Sequence, residues 1–511
     1  MAVTGTETTT ESEAAVGVEA DAAVEAEVAA PTLLERLWRW RVPMLIGAVF
    51  LIALVVAWRN RPGVLYDDAA ITMRYAWRIG HGYGWTYNDL DRTNGASAPL
   101  YTMILAVLGV GLDLPPAARA FGVLCYATAV ALATFLAQRI AGMVAAVFAA
   151  LFLLTWIDFQ FQSLSGMESA LSAVIGLAVI IALLEDRDGW AGVLLGLALI
   201  NKLDAGMLLV AVAGCYLLLL RRPPWRVLGA CVIVFTPWML LATAYFGSVL
   251  PYSFTQKASS QVDNPTVELS RTWILEAVQS QRMIPMVLLA IAAIAAVVWL
   301  ARTTPRSALA LAVCVAWPVL HGFAFSVVPL GDRYPWYLTV LYPPLAIAAA
   351  CAIAVAVRSV PGWWRVGAAA AVIVPLALVL GFRDQSGGRV AAVARSVVDG
   401  PQTEDYEAFE VTRREAAKFL ATQVQPGDVI STCFGWVAYE SRRNPISESC
   451  PLNTRKPVGV PRWATYLSVP STVAPVLPPN ATIVGTFVSD TDPATQVSGR
   501  FDVVRFDLEA E

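Results

Sequence analysis

Two adjacent aspartates, Asp67 and Asp68, open the run YDDAAITMRYAWRIGHGYGWTYNDLDRTNGASAPL, residues 66 to 100, in a chain that is otherwise mostly apolar. A carboxylate beside guanidinium groups at a membrane edge has the parts needed to deprotonate a hydroxyl nucleophile while a phosphate leaving group is held nearby. Asp67, Ile71, Arg74 and Arg78 recur at helical spacing, so one acid and two bases share a stripe. Two plainer readings compete with chemistry. Asp68 is a natural N-cap for a helix beginning there, and the stripe is equally a surface ladder of ion pairs.

Composition decides the class of protein that must position these residues. With 511 residues, 57% hydrophobic and 15% charged, and a mean hydropathy of +0.60, the chain is too apolar for a soluble domain of its size. Its apolar residues fall in runs long enough to cross a bilayer, which predicts an α-helical polytopic membrane protein. A net charge of -3 gives no reason to expect nucleic acid.

Residues 1–34 are small and acidic and are expected to form a disordered tail. No signal peptide fits there. The first span, Pro43 to Trp58, follows Arg36, Arg39 and Arg41, so it is expected to act as an uncleaved anchor with the tail cytoplasmic. The apolar stretch Ala98 to Gly111, at about fourteen residues, is short for a span. Reading it as re-entrant or interfacial keeps the later arginine clusters inside and leaves about eleven spans. The domain 35–382 then lies in the plasma membrane, with an outer loop at 59–116, and 383–511 is extracytoplasmic. In that last region DYEAFEVTRREAAKFLATQ reads as a helix and PGDVISTCF and ATIVGTFV as strands, so a small α/β domain is expected.

The same topology gathers other chemistry on the outer side. Glu168 in IDFQFQSLSGMES and Asp204 in NKLD are acids at span ends, costly unless used or paired. Asn94 belongs to the first loop, Lys257 to the loop 245–273, and Arg333 and Tyr334 to PLGDRYPWY. A boundary lysine is more often a snorkelling anchor, and Arg333 has Asp332 beside it as a simple ion-pair partner. Trp85, Tyr87, Trp336 and Tyr337 have flat rings suited to stacking on a ligand but also belong to an interfacial belt. His81 reads as an exposed loop residue. Five of the seven cysteines lie in spans, while Cys433 and Cys450 share the outer domain, where a disulfide between them is left open. No metal motif is present and there are only two histidines.

In order along the chain, the aspartate pair after the first span, the I-T-x-R-Y-A helix, Gly82, Gly84, Tyr87 and Asn88, then Gly95, Ser97, Pro99 and Leu100, together resemble the integral-membrane glycosyltransferases of the GT-C superfamily. SGMESAL, FGSVLPYSFTQK and GDRYPWYLTVLYPPLAI continue the likeness over roughly residues 43 to 460. The pattern is most like actinobacterial, mycobacterial-type terminal arabinofuranosyltransferases. Ala70, NKLDAG and ISESCPLNT depart from it.

The resemblance implies a GT-C-like fold and an inverting transfer, with Asp67 first and Asp68 second as catalytic base. It implies Arg74, Lys257 and Arg333 as phosphate ligands and Glu168, Asp204, Tyr334 and Asn94 as further substrate contacts. The donor would be a polyprenyl (decaprenyl) phosphate sugar, arabinofuranose, and the acceptor a cell-envelope polysaccharide such as arabinogalactan or lipoarabinomannan in cell wall biogenesis. No cofactor or divalent metal is expected, and protein partners are not readable. Mannosyl transfer from polyprenyl-phosphate mannose is the alternative, followed by a lipid flippase or transporter and by a non-catalytic envelope scaffold. The charges cluster in loops and no internal repeat is evident, which weighs against a transporter.

Overall fold

The computed structural model describes residues 33–62, 65–89, 91–259, 283–327, 335–358, 404–442, 444–448, 460–468, 475, 477–488 and 500–506. The expected tail lies outside them except for its last two residues. The chain divides into two compact units, 1–45 and 46–511. Of the first, the described part is the beginning of α1 (Leu33–Arg59). The membrane helices and the C-terminal sheet share the second.

After α1 come α2 (Asp67–Gly80), α3 (Pro99–Leu108), α4 (Leu114–Thr155), α5 (Ile157–Leu164), α6 (Ser169–Leu184) and α7 (Asp188–Asn201). A 3-10 turn (Leu203–Ala205) leads to α8 (Gly206–Cys215), α9 (Trp225–Phe246), α10 (Tyr252–Ser259), α11 (Met283–Ala301) and α12 (Pro305–Val327). A second 3-10 turn (Pro335–Leu341) runs into α13 (Tyr342–Arg358).

Among the described residues six helices are long and apolar enough to cross a bilayer, and α5 with α6, bent by 112°, forms a broken span or a re-entrant pair. The chain is a multi-pass membrane protein. The expected count of about eleven spans rests partly on 359–403, outside the described residues. Backbone polar groups have no water to bond in hydrocarbon, which is why apolar runs of this length become helices and nothing else.

Two features expected near the membrane have clear counterparts. The stretch 98–111 forms α3, ten residues and so about 15 Å long, half the thickness of a hydrocarbon core. The 42 residues of α4 would make one rod of about 63 Å, but Gly142, at φ 81° and ψ -170°, breaks it into 114–141 and 143–155. Arg358 Nη2 donates to the Ala141 carbonyl at that break, at 2.7 Å. The first piece therefore ends close to Gln138 and Arg139, where the arginine pattern requires an end.

Packing sorts the helices. Of the apolar windows, 78% of that in Trp336–Arg358 is buried but only 17% of that in α9, so the former is central and the latter peripheral. Val232, Ile233 and Leu240 on α9 are exposed, as suits a lipid-facing surface. Without a hydrophobic drive between helices in lipid, close packing needs small residues. Gly192 and Gly196, one turn apart on α7, supply it. A Cβ on Gly192 would stand 2.2 Å from the Val227 carbonyl oxygen, and one on Gly196 2.7 Å from Val234 Cβ.

The C-terminal domain is the expected α/β unit. It consists of α14 (Glu404–Gln423), β1 (Ile430–Thr432), α15 (Gly435–Glu440), β2 (Ile446–Glu448), β3 (Trp463–Ser468), β4 (Ala481–Val488) and β5 (Arg500–Phe506). The sheet order is β2-β1-β3-β5-β4, with β1 parallel to β2 and β3 and β5 antiparallel to β3 and β4. α14 covers the sheet, its Phe419 ring 5.5 Å from that of Phe487, and Gly485 makes room for it.

Gly192→Ala must push α7 from α9, and overpacking of this kind costs roughly 1–3 kcal/mol. Thermal unfolding in detergent should show that loss, while Gly214→Ala, whose Cβ would meet nothing within 4 Å, should be neutral or slightly stabilising.

Candidate active site

The aspartate pair starts a helix, though not as an N-cap. The N-cap of α2 is Tyr66, at φ -60° and ψ 148°, without a side-chain cap, so Asp67 and Asp68 occupy its first turn. Their negative charge suits the positive end of that helix.

Asp67 turns away from solvent and is 7% exposed. Its Oδ2 accepts the backbone N–H of Gly435 at 2.8 Å and its Oδ1 that of Trp436 at 2.9 Å. Arg413 Nη1 lies 3.7 Å from Oδ2. Asp67 therefore caps the start of a different helix, α15 of the C-terminal domain, and binds amides that would otherwise lack an intrahelical partner.

Arg74, two turns along the same stripe, serves the other end of α15. It is 1% exposed and donates from Nη1 to the Ala438 carbonyl. Nη2 donates to the Asn444 carbonyl at 3.1 Å and Nε to that of Tyr87 at 2.9 Å. An acid thus sits at the N-terminus of α15 and a base at its C-terminal carbonyls, matching its dipole at both ends. Between them the backbones nearly touch. A Cβ on Gly435 would be 2.1 Å from the Asp67 carbonyl oxygen and 2.9 Å from Ile71 Cγ1. The stripe inferred from spacing is real, and the C-terminal domain covers its first two turns. Arg78, one turn further, pairs with Asp89 and donates to Thr86 Oγ1 at 3.2 Å.

A second joint lies beside the first. Asn88 Oδ1 accepts the Ile446 N–H at 2.9 Å while its Nδ2 donates to the Ile446 carbonyl at 2.8 Å. Ile446 begins β2, an edge strand, so the side-chain amide imitates a missing neighbour strand and closes that edge.

On the membrane side, Tyr66 N–H donates to the Ser165 carbonyl at 3.0 Å and its hydroxyl to Gln162 Oε1 at 3.2 Å. Burial pushes the Tyr66 phenol well above its ordinary value, so it remains a donor. From the domain side, Trp436 Nε1 donates to the Leu65 carbonyl at 3.2 Å. Residues 65–67 are therefore gripped from two directions, and the next one, Asp68, is partly exposed.

Glu168 and Asp204, expected to touch substrate, flank Lys202, which spacing did not single out. Glu168 and Lys202 form an ion pair whose side chains are 2% and 10% exposed. Burial works against the Lys202 charge, but Glu168, Asp204 and Tyr337 outweigh it and its pKa is raised. The ammonium lies 4.8 Å from the Tyr337 ring centroid. His321 Nε2 is 3.1 Å from the Tyr337 carbonyl, and Ser169 Oγ donates to that of Trp336 at 2.9 Å. The Trp336 ring in turn packs 5.1 Å from that of Tyr66. A continuous set of contacts thus joins the Glu168–Lys202 pair to the aspartates. An isolated lysine at a break between apolar runs was the available signal for Lys202; Arg413 and Asn88 carried none as domain-joining residues.

Asn94 is buried. Its carbonyl accepts the Tyr252 N–H at 2.6 Å and its Nδ2 donates to Val249 O at 3.4 Å, bringing the first loop against α10, the helix that contains Lys257. The Lys257 side chain, Arg333, Tyr334 and Cys450 lie outside the described residues. Cys433 is disulfide-bonded, and the five helix cysteines are free thiols. Among the described residues no three His, Cys, Asp or Glu side chains converge as metal ligands.

In comparisons with known proteins, no family model and no curated sequence matches the chain. Solved structures do. The crystal structure of ArnT from Cupriavidus metallidurans bound to undecaprenyl phosphate is similar with a TM-score of 0.54 at 15% identity, over 90% of this chain and 97% of that one. The apo form of the same protein gives 0.52 at 15%, with the same coverage. A weaker likeness, 0.48 at 11% identity over 85% of this chain and 70% of that one, is to the oligosaccharyltransferase AglB from Archaeoglobus fulgidus in complex with an inhibitory peptide and a dolichol-phosphate. The expected fold, a polytopic helical membrane domain followed by a small α/β domain, is the fold the chain has, and it is similar to that of ArnT.

Glu168→Ala strands a buried ammonium, which typically costs about 3–5 kcal/mol. Unfolding of the purified protein should shift accordingly, and pairing Glu168→Gln with Lys202→Met should restore most of the loss.

Proposed function

We propose that the chain is an inverting glycosyltransferase that moves arabinofuranose from a polyprenyl-phosphate donor to a cell-envelope glycan on the outer face of the membrane. The observation that carries this reading is the aspartate pair in the first turn of α2, directly after the first membrane helix, in a chain that shares 90% of its length with the fold of ArnT. That neighbour is seen bound to undecaprenyl phosphate, which supports a lipid-phosphate donor here.

Asp68 is the base in this proposal and Asp67 is not. Both oxygens of Asp67 accept backbone N–H bonds from α15 and the residue is 7% exposed, which commits it to the joint with the C-terminal domain. Asp68 takes the proton of the acceptor hydroxyl as its oxygen attacks the anomeric carbon. The bond from that carbon to the phosphate oxygen breaks on the opposite face, and the electron pair leaves with the polyprenyl phosphate. Lys257 and Arg333 hold the departing phosphate, for which arginine's planar fork is well shaped. Arg74, committed to carbonyl oxygens under the C-terminal domain, acts in the fold. Glu168 acts chiefly through Lys202, and the turn 335–341 that they brace follows directly on Arg333 and Tyr334. The C-terminal domain is extracytoplasmic in this arrangement and the N-terminus cytoplasmic.

The test is transfer by the purified protein in detergent from synthetic polyprenyl-phosphate arabinofuranose to a short arabinan, beside polyprenyl-phosphate mannose. Asp68→Asn should lower kcat by about 10²–10⁴-fold, the usual worth of a general base. Transfer from the mannose donor alone would keep the mechanism and change the sugar. Full activity in Asp68→Asn would return the base to Asp67, and no transfer from either donor would remove the reading.

A further inference from the structure

We propose that the C-terminal domain is a working part of the transfer centre, because α15 splints the first turn of α2 and thereby aims Asp68; Asp67, Arg74 and Asn88 are positioning residues in this arrangement. The inference rests on the transferase reading above. It does not follow from that reading, since an appended domain can as well bind glycan at a distance or merely shield the membrane face.

Three observations carry it. The dipole-matched clamp grips α2 at residues seven apart: Asp67 holds the amides of Gly435 and Trp436, and Arg74 holds the carbonyls of Ala438 and Asn444. A charged group bonded to backbone at both ends of one short helix leaves little freedom for rotation of α2 about its axis. The second observation is contact without spacer. Gly435 lies so close to Asp67 and Ile71 that no side chain fits between the backbones. The third is the grip on residues 65–67 by two parts of the fold, by Trp436 on the Leu65 carbonyl and by the Ser165 carbonyl on the Tyr66 N–H. Asp68 is the next residue, so its direction is set jointly by the membrane half and the C-terminal domain. Catalytic groups must be held within about 0.5 Å of productive geometry by surroundings that are themselves locked, and a misplacement of about 1 Å can cost 10²-fold in rate.

Gly435→Ala tests this in the full-length protein without altering either aspartate or any proposed phosphate ligand. The added methyl group must separate α15 from α2. The expected result is a fall in kcat on the order of 10²-fold with KM for the lipid donor unchanged. Hydrogen exchange should be faster at 435–442 while α14 stays protected, which distinguishes an undocked domain from an unfolded one. If α14 loses protection as well, Asn88→Ala, which removes the two bonds to the Ile446 backbone and one from Arg74 Nη2 but none of the bonds to α15, is read in the same way. Unchanged kcat with α15 released overturns the proposal. A higher kcat also does so, since the domain would then be a latch, and a raised KM at constant kcat would make the domain a substrate-binding module. An inactive wild-type chain would sink the transferase reading and this inference with it; an active one indifferent to Gly435→Ala sinks this inference alone.

Discussion

Hydrocarbon cannot hydrogen-bond, and a chain that crosses it must keep its polar groups satisfied internally or confine its irregular segments to places that other protein covers. The architecture follows from that constraint. Where α5 turns into α6, the Tyr101 hydroxyl donates to the Gly166 carbonyl at 2.7 Å and the Ser165 carbonyl is taken by Tyr66. Where α7 gives way to the turn before α8, Lys202 fills the gap and is neutralised by Glu168. The short helix α3, unable to cross, packs among buried neighbours through Leu105 and Ala106. Breaks in the helices are thus both the costliest parts of the membrane half and the places where its ionisable groups collect.

The two aspartates show how neighbouring residues of one type acquire different work. A carboxylate that accepts two backbone amides is held still, which suits a structural joint. Its neighbour is rotated by about 100° on the helix and remains partly exposed. In the proposed mechanism the pair couples a docking contact to the catalytic base across a single peptide bond. A similar economy appears at Asn88, whose amide carries both a donor and an acceptor and so closes a strand edge with one side chain.

The Glu168–Lys202 pair illustrates the other side of buried charge. Such a pair rarely adds net stability over an apolar pair of the same size, because desolvation consumes most of the attraction. What it adds here is specificity of position. The ammonium sits over Tyr337, and the same turn is held by Ser169 and His321, so the segment directly after Arg333 and Tyr334 is braced from α6, α7 and α12.

Much of this was legible in the amino-acid sequence. Apolar run length announced the membrane helices, the shortness of 98–111 announced a helix that does not span, and the alternation in ATIVGTFV announced β4, because each depends on the chain's own periodicity and solvent preference. The stripe of Asp67, Ile71, Arg74 and Arg78 was legible for the same reason. What faces that stripe was not. Gly435, Trp436 and Ala438 lie more than three hundred residues away, and nothing in local spacing records which amides a carboxylate meets after folding. Periodicity and apolar length were enough to read the class of protein and its helices, whereas the grip of Asp67 and Arg74 on another helix and the pairing of Lys202 with Glu168 arise from folding, since partner choice among like charges is set by which surfaces the whole fold brings together.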